Sequence, residues 1–164
     1  MSTKIVYYSY SGNTKRVARL LSDILAKNSE VELQELKAID ESKNFFIQVR
    51  RAFKKIRAVL EETSLDFSAY DLVCFGTPVW AFGPAPAMWA CLDKCSGLES
   101  KAVILFTTYG SGSGNKRCLN YMQELLAQKG AASFKRFSVP AGKIKDKEFI
   151  LSKIKEATRL WPNG

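Results

Sequence analysis

Ser9-Tyr10-Ser11-Gly12-Asn13-Thr14 follows the strand-like run Lys4-Ile5-Val6-Tyr7-Tyr8 and opens a stretch in which Val17, Leu20, Leu21, Ile24 and Leu25 recur at helical spacing. A strand that feeds a helix through a turn of hydroxyls, one glycine and an asparagine has the chemistry of a phosphate cradle. The first N–H groups of a helix have no internal acceptor, and the helix dipole places partial positive charge there. Ser9, Ser11 and Thr14 add hydroxyl donors, and Gly12 lets the backbone come close. The plainer use of those hydroxyls is to cap the helix, and Asn13 is open to the same two readings. Lys15 and Arg16, in the first helical turn, strengthen anion binding electrostatically.

The alternation of strand and helix continues outward from this turn. Residues 31–36 read as a second strand. Residues 44–62 read as a second helix, with Phe45, Val49, Phe53, Ile56 and Leu60 inward. Asp71-Leu72-Val73-Cys74-Phe75 is an apolar third strand of the buried parallel type. A third helix begins near Pro84 and Pro86, where proline suits the first turn. Residues 102–107 form a fourth strand, and 115–128 a fourth helix stopped by Gly130. Residues 133–139 form a fifth strand, and 147–160 a fifth helix with Ile150, Ile154, Ala157 and Trp161 inward. Five strands alternating with five helices predict an α/β fold, a doubly wound parallel sheet covered on both faces. The 164 residues suit one domain over the whole length, without repeats, low-complexity tracts or a linker.

Composition removes several kinds of chemistry. The chain has no histidine and four cysteines, at 74, 91, 95 and 118, with no CxxC spacing. A His–Cys zinc site and histidine-based acid–base catalysis are therefore excluded. Few, irregularly spaced cysteines fit a reducing compartment. Cys91 and Cys95 share a helix face, but two ligands make a poor metal site, and burial as small apolar residues is the simpler reading for all four. Trp89, at helical spacing with Ala85 and Leu92, reads as a core or subunit contact. Residues 72–92 carry no charge, yet Gly76, Pro78, Gly83, Pro84 and Pro86 interrupt them, so a buried strand, loop and helix are expected and not a membrane span. No leader precedes the first strand, so a cytoplasmic location is expected.

Two further segments stand where the first one does, after a strand. Gly76-Thr77-Pro78-Val79-Trp80 follows the third, and Thr107-Thr108-Tyr109-Gly110-Ser111-Gly112 follows the fourth. In an open α/β sheet, ligands collect beyond the carboxyl ends of the strands, where the strand order reverses. Trp80 and Tyr109 are large enough to flank a flat ring. Glycines at 110, 112 and 114 admit backbone N–H groups to its polar edge.

In this order the three segments resemble the flavodoxin family, the first its phosphate loop and the other two its flavin loops. The resemblance covers nearly the whole chain. It implies FMN held without a covalent bond and a sheet order of 2-1-3-4-5, the order in which flavodoxin carries FMN between strands 1 and 3. The cofactor-binding residues it implies are Ser9, Tyr10, Ser11, Gly12, Asn13 and Thr14 at the phosphate. At the ring they are Thr77, Pro78, Val79, Trp80, Phe82 and Gly83, with Thr108, Tyr109, Gly110, Ser111 and Gly112. No catalytic side chain and no metal are implied. Without an insertion in the fifth strand, the chain looks like the short-chain type. Its second loop, running on from Trp80 to Pro86, is longer and more apolar than is usual there. Trp80, Phe82 and Tyr109 are all candidates to stack on the flavin.

Charge sets the chain apart from that family. Classical flavodoxins are acidic, whereas the formal net charge here is +9. A positive field favours the anionic reduced flavin. Between positions 43 and 57 the chain carries Lys43, Arg50, Arg51, Lys54, Lys55 and Arg57 and no acid. A solvated helix face explains them. A docking patch around Arg50, Arg51 and Lys54 for an acidic redox partner is the functional alternative, with an anionic membrane surface behind it. No nucleic-acid-binding signature is present, so no nucleic-acid partner is expected. The leading expectation is an FMN-binding electron-transfer protein, monomer or homodimer, shuttling electrons between redox partner proteins. The alternative is an NAD(P)H-dependent quinone or flavin reductase of the same fold. A flavin-free interaction module is a third reading.

Overall fold

A computed structural model of the chain describes residues 1–40, 44, 46–47, 50–51, 54, 56–110 and 112–159. The strands are β1 (Ser2–Tyr7), β2 (Glu30–Glu35), β3 (Leu72–Trp80), β4 (Gly83–Pro84), β5 (Ala102–Tyr109) and β6 (Ser133–Pro140). The helices are α1 (Asn13–Leu25), α2 (Pro86–Lys94), α3 (Asn115–Gln128) and α4 (Lys147–Thr158). Five strands form a parallel sheet in the order β2-β1-β3-β5-β6, and β4 pairs antiparallel with the end of β3. This is the doubly wound α/β order read from the sequence.

Alternation along the strands assigns side chains to two cores. Val6, Phe75 and Leu105 face one side with Met88, Leu92 and Met122 from α2 and α3. Ile5, Cys74 and Ile104 face the other with Val17, Leu21, Ile150 and Ile154 from α1 and α4. Strands buried on both faces need apolar residues at every position, which is why β3 and β5 read as continuous apolar runs. Gly130, with φ +91, closes α3, as expected of a glycine stop. All four cysteines are buried and unpaired. Trp89 is buried in α2 beneath Arg57, whose guanidinium lies 4.9 Å from the ring centroid.

Two expectations are corrected. The second predicted helix does not reach Glu62. Phe46, Ile47, Arg50 and Arg51 are helical, but residues 56–59 are not, and Ile56 is exposed instead of inward. Phe45, Val49 and Phe53 lie outside the described residues, as does Trp161 in the fifth. The cause is tertiary. Val59 N–H donates to Asp40 Oδ1 at 2.9 Å, its carbonyl accepts from Ile39, and Glu61 N–H donates to Lys37 O. Those amides are spent on residues 37–40, so no helix ladder forms. The second correction lengthens the third strand. Residues 76–80, read as a loop, continue β3, because β5 pairs with it as far as Pro78↔Thr108 and β4 takes Val79 and Trp80. The uncharged run 72–92 resolves into β3, β4 and α2. Among the described residues, no helix is long and apolar enough to cross a membrane.

Candidate functional site

The sheet order reverses between β1 and β3, and the site grows from their carboxyl ends. One residue past β1, Tyr8 N–H donates to Gly76 O at 2.9 Å and keeps the two chains together. The chain then turns through residues 9–12 into α1. Gly12 caps the helix with φ +87, the left-handed region where a Cβ is strained, and no side chain bonds at that cap. Asn13 is the first helical residue and not its cap.

The hydroxyls of this turn are used in different ways. Ser9 Oγ accepts from Lys15 N–H at 3.1 Å, satisfying the third helical amide and leaving its own O–H to give. Thr14 Oγ1 lies 2.8 Å from Thr108 Oγ1, both buried, tying the turn to the end of β5. The amides of Asn13 and Thr14 have no acceptor among the described residues. Two amides at a helix start, with hydroxyls beside them, are a donor set for a phosphate.

Positive charge surrounds the turn. On the far side of Gly12 a cavity of 350 Å³ is lined by Lys15, Arg16, Arg19, Leu20 and Lys147, with no acid among them. Lys15 is steadied at 2.6 Å by Glu35, which also accepts from Tyr7 at 3.3 Å. Burial, then the charge of Glu35, pushes the Tyr7 hydroxyl up to about 12.

The turn borders a cleft of 420 Å³ walled by Ser11 and Asn13, by residues 78–82 and by Thr108, Tyr109 and Gly110, together with Ser113 and Ala141. Of the residues singled out in the sequence, Ser11, Asn13, Pro78, Val79, Trp80, Phe82, Thr108, Tyr109 and Gly110 meet there. The other described ones do not line it. Tyr10 packs on Trp80, Gly12 faces the cationic cavity, and Thr77 Oγ1 accepts from Ala85 N–H at 3.1 Å, fixing the base of the hairpin. Gly83 pairs with Trp80, and Gly112 is an exposed turn residue with φ +72. Ser111 lies outside the described residues. Ala81 and Ser113 line the cleft beside residues that were singled out, and Ala141, which follows β6, was missed. Its only signal was its place at a carboxyl end of the sheet.

The aromatics separate by geometry. Trp80 is 7% exposed and set edge-on against Tyr8 and Tyr10, at 5.8 and 5.5 Å between ring centroids. Phe82 is 45% exposed in the two-residue turn between β3 and β4. Both turn residues hold positive φ, Ala81 +48 and Phe82 +64, as a tight hairpin on twisted strands demands. Gly114, with φ +103, makes room for them. A Cβ there would come within 2.9 Å of the Phe82 ring.

A sequence model of the NADPH-dependent FMN reductase family matches residues 7–146, which take in the turn, the hairpin and the end of β5. The chain belongs to that family. FMN is the cofactor of an NADPH-dependent FMN reductase fold, and the residues present fit it: paired amides and hydroxyls for a phosphate, and an aromatic-walled cleft beside them for a flat ring. No curated protein sequence matches the chain. Among solved structures, it is similar to a flavoprotein in complex with FMN from Lactobacillus acidophilus, 23% identical over 90% of this chain and 98% of that one, TM-score 0.67. An NADH:FMN oxidoreductase in its apo form is 15% identical over 97% and 87%, TM-score 0.68. Oxidised flavodoxin 1 from Bacillus cereus is 18% identical over 98% and 99%, TM-score 0.64. The fold of this family member is therefore similar to that of a flavodoxin and of an NADH:FMN oxidoreductase alike.

Proposed function

We propose that this protein is an NAD(P)H-dependent flavin or quinone reductase working through FMN in the cleft, and not a carrier alone. The observation that carries the reading is the withdrawal of Trp80 into the core while Phe82 stays exposed at the cleft wall. A nicotinamide reacts with a flat ring only when the two lie face to face, so one ring face must be reachable. A cleft whose largest aromatic is almost wholly buried and set near-perpendicular to two tyrosines leaves such a face. Membership of the NADPH-dependent FMN reductase family supports the same reading.

Bound FMN supplies the hydride and electron chemistry. The chain's own part is binding and orientation. The 11–14 turn holds the phosphate, with Lys15 and Arg16 adding to the field. Phe82 and Tyr109 wall the ring and shield it from water. Among the described residues no carboxylate lines the cleft, so none of them opposes an anionic reduced state there.

Steady-state oxidation of NADPH by the FMN-loaded protein, with a quinone or excess FMN as acceptor, tests the proposal. Repeated turnover without any second protein is expected. Reduction that appears only when a separate reductase is added would make the protein a carrier.

A further inference from the structure

We infer that the groove along the outer edge of β6 seats the 2′-phosphate end of NADPH. This rests on the reductase reading and names the part of the substrate that the ring cleft leaves over. A cavity of 500 Å³ runs beside β6, the last strand of the sheet, bounded by residues of α3 and α4. Tyr109 lines both this groove and the ring cleft. The chain around it serves both: Ser113 and Ala141 face the cleft, Asn115 and Pro140 the groove. No residue of the 9–14 turn lines the groove. A dinucleotide with its nicotinamide in the cleft therefore passes over Tyr109 into the groove without meeting the site of the FMN phosphate.

The lining suits an adenylyl group with an extra phosphate. Lys116, Lys135, Arg136 and Lys153 stand against one carboxylate, Glu156, which Lys153 takes at 3.1 Å. Arg136 donates to the amide oxygen of Asn120 at 2.8 Å, a neutral acceptor that leaves its charge uncompensated. The side-chain ammonium groups of Lys116 and Lys135 have neither a hydrogen bond nor an ion pair among the described residues. Tyr109 and Phe149 give an aromatic wall on which a base can lie. NADPH differs from NADH by one phosphate, and free cations in a groove are the chemistry that tells the two apart. The cations at Gly12 are nearer the other phosphate, that of FMN.

The test uses adenosine 2′,5′-bisphosphate and 5′-AMP, each titrated into the FMN-loaded protein by calorimetry. The bisphosphate is expected to bind about tenfold tighter than AMP, the scale of one charge-assisted contact. The double variant Lys116→Ala, Lys135→Ala should remove that preference. In turnover, its KM for NADPH should rise about tenfold more than its KM for NADH. Equal binding of the two nucleotides by the wild type, or an unchanged bisphosphate affinity in the variant, overturns the assignment. If the wild type oxidises neither nicotinamide, the reductase reading falls, and the bisphosphate titration still decides what the groove holds.

Discussion

Gly76 and Gly12 are both required, for different physical reasons. At Gly76, inside β3, an added Cβ would clash with the Phe106 ring of the neighbouring strand, 2.0 Å from its Cζ. At Gly12 nothing lies within 4 Å of that position, and the requirement is the left-handed backbone alone. Gly76→Ala should therefore destabilise by overpacking, by about 1–3 kcal/mol, read as a lower urea midpoint. Phe106→Leu should return part of that loss in the double variant, since the two residues share one space. Additive effects would mean that the ring is not what the Cβ meets. Gly12 was legible in the sequence, because a glycine between hydroxyls after a strand has a known use. The need at Gly76 was not, since the ring that fills its place comes from a residue thirty positions away in the chain.

Elements with their own periodic signal could be read, and stretches shaped only by distant partners could not. The strand before the turn and the periodic helix after it carry their own signal. The end of β3 does not: Gly76 and Pro78 look like loop residues, and only β5 and β4 make them a strand. The segment after Ile56 keeps a helical spacing, yet Asp40 and Lys37 take its amides. Arg51 and Arg57 are paired with Asp40 and Asp93, so the basic run offers less free charge for docking than its sequence suggests. The β3–β4 hairpin also shows why the stacking aromatic stayed open in the sequence: Trp80 and Phe82 are two residues apart and point to different surroundings. Its turn holds an alanine in the left-handed region, so Ala81→Gly should stabilise the protein by about 0.5–1 kcal/mol, the strain relieved less the extra backbone entropy of glycine. A denaturation midpoint that falls would mean that the side chain contributes packing that outweighs the strain.

Across the whole molecule, acid–base behaviour follows from burial. Burial pushes the Cys95 thiol from 9.0 up to about 11 and raises Cys74, Cys91 and Cys118 further. Tyr7 rises from 10.0 to about 12. Each group holds its proton more tightly folded than unfolded, so its contribution is complete below the unfolded value and fades as pH climbs towards the folded one. Stability should thus decline from about pH 9 upward, faster than in a variant with the cysteines replaced by alanine or valine once their neutral-pH difference is subtracted. Parallel curves would assign the alkaline loss to other groups. Neither this behaviour nor the separation of the two cationic cavities could be read from a net charge of +9. A last consequence comes from the 2.8 Å contact between Thr14 and Thr108, which joins the phosphate turn to the chain beside the ring. Two half-sites sharing one hydrogen bond have a coupling free energy, and coupling is reciprocal. Inorganic phosphate should tighten riboflavin by the same factor by which riboflavin tightens phosphate, and Thr108→Val should bring both factors towards one. Titrations that show the two halves independent in the wild type would mean that the protein reads the cofactor as separate fragments.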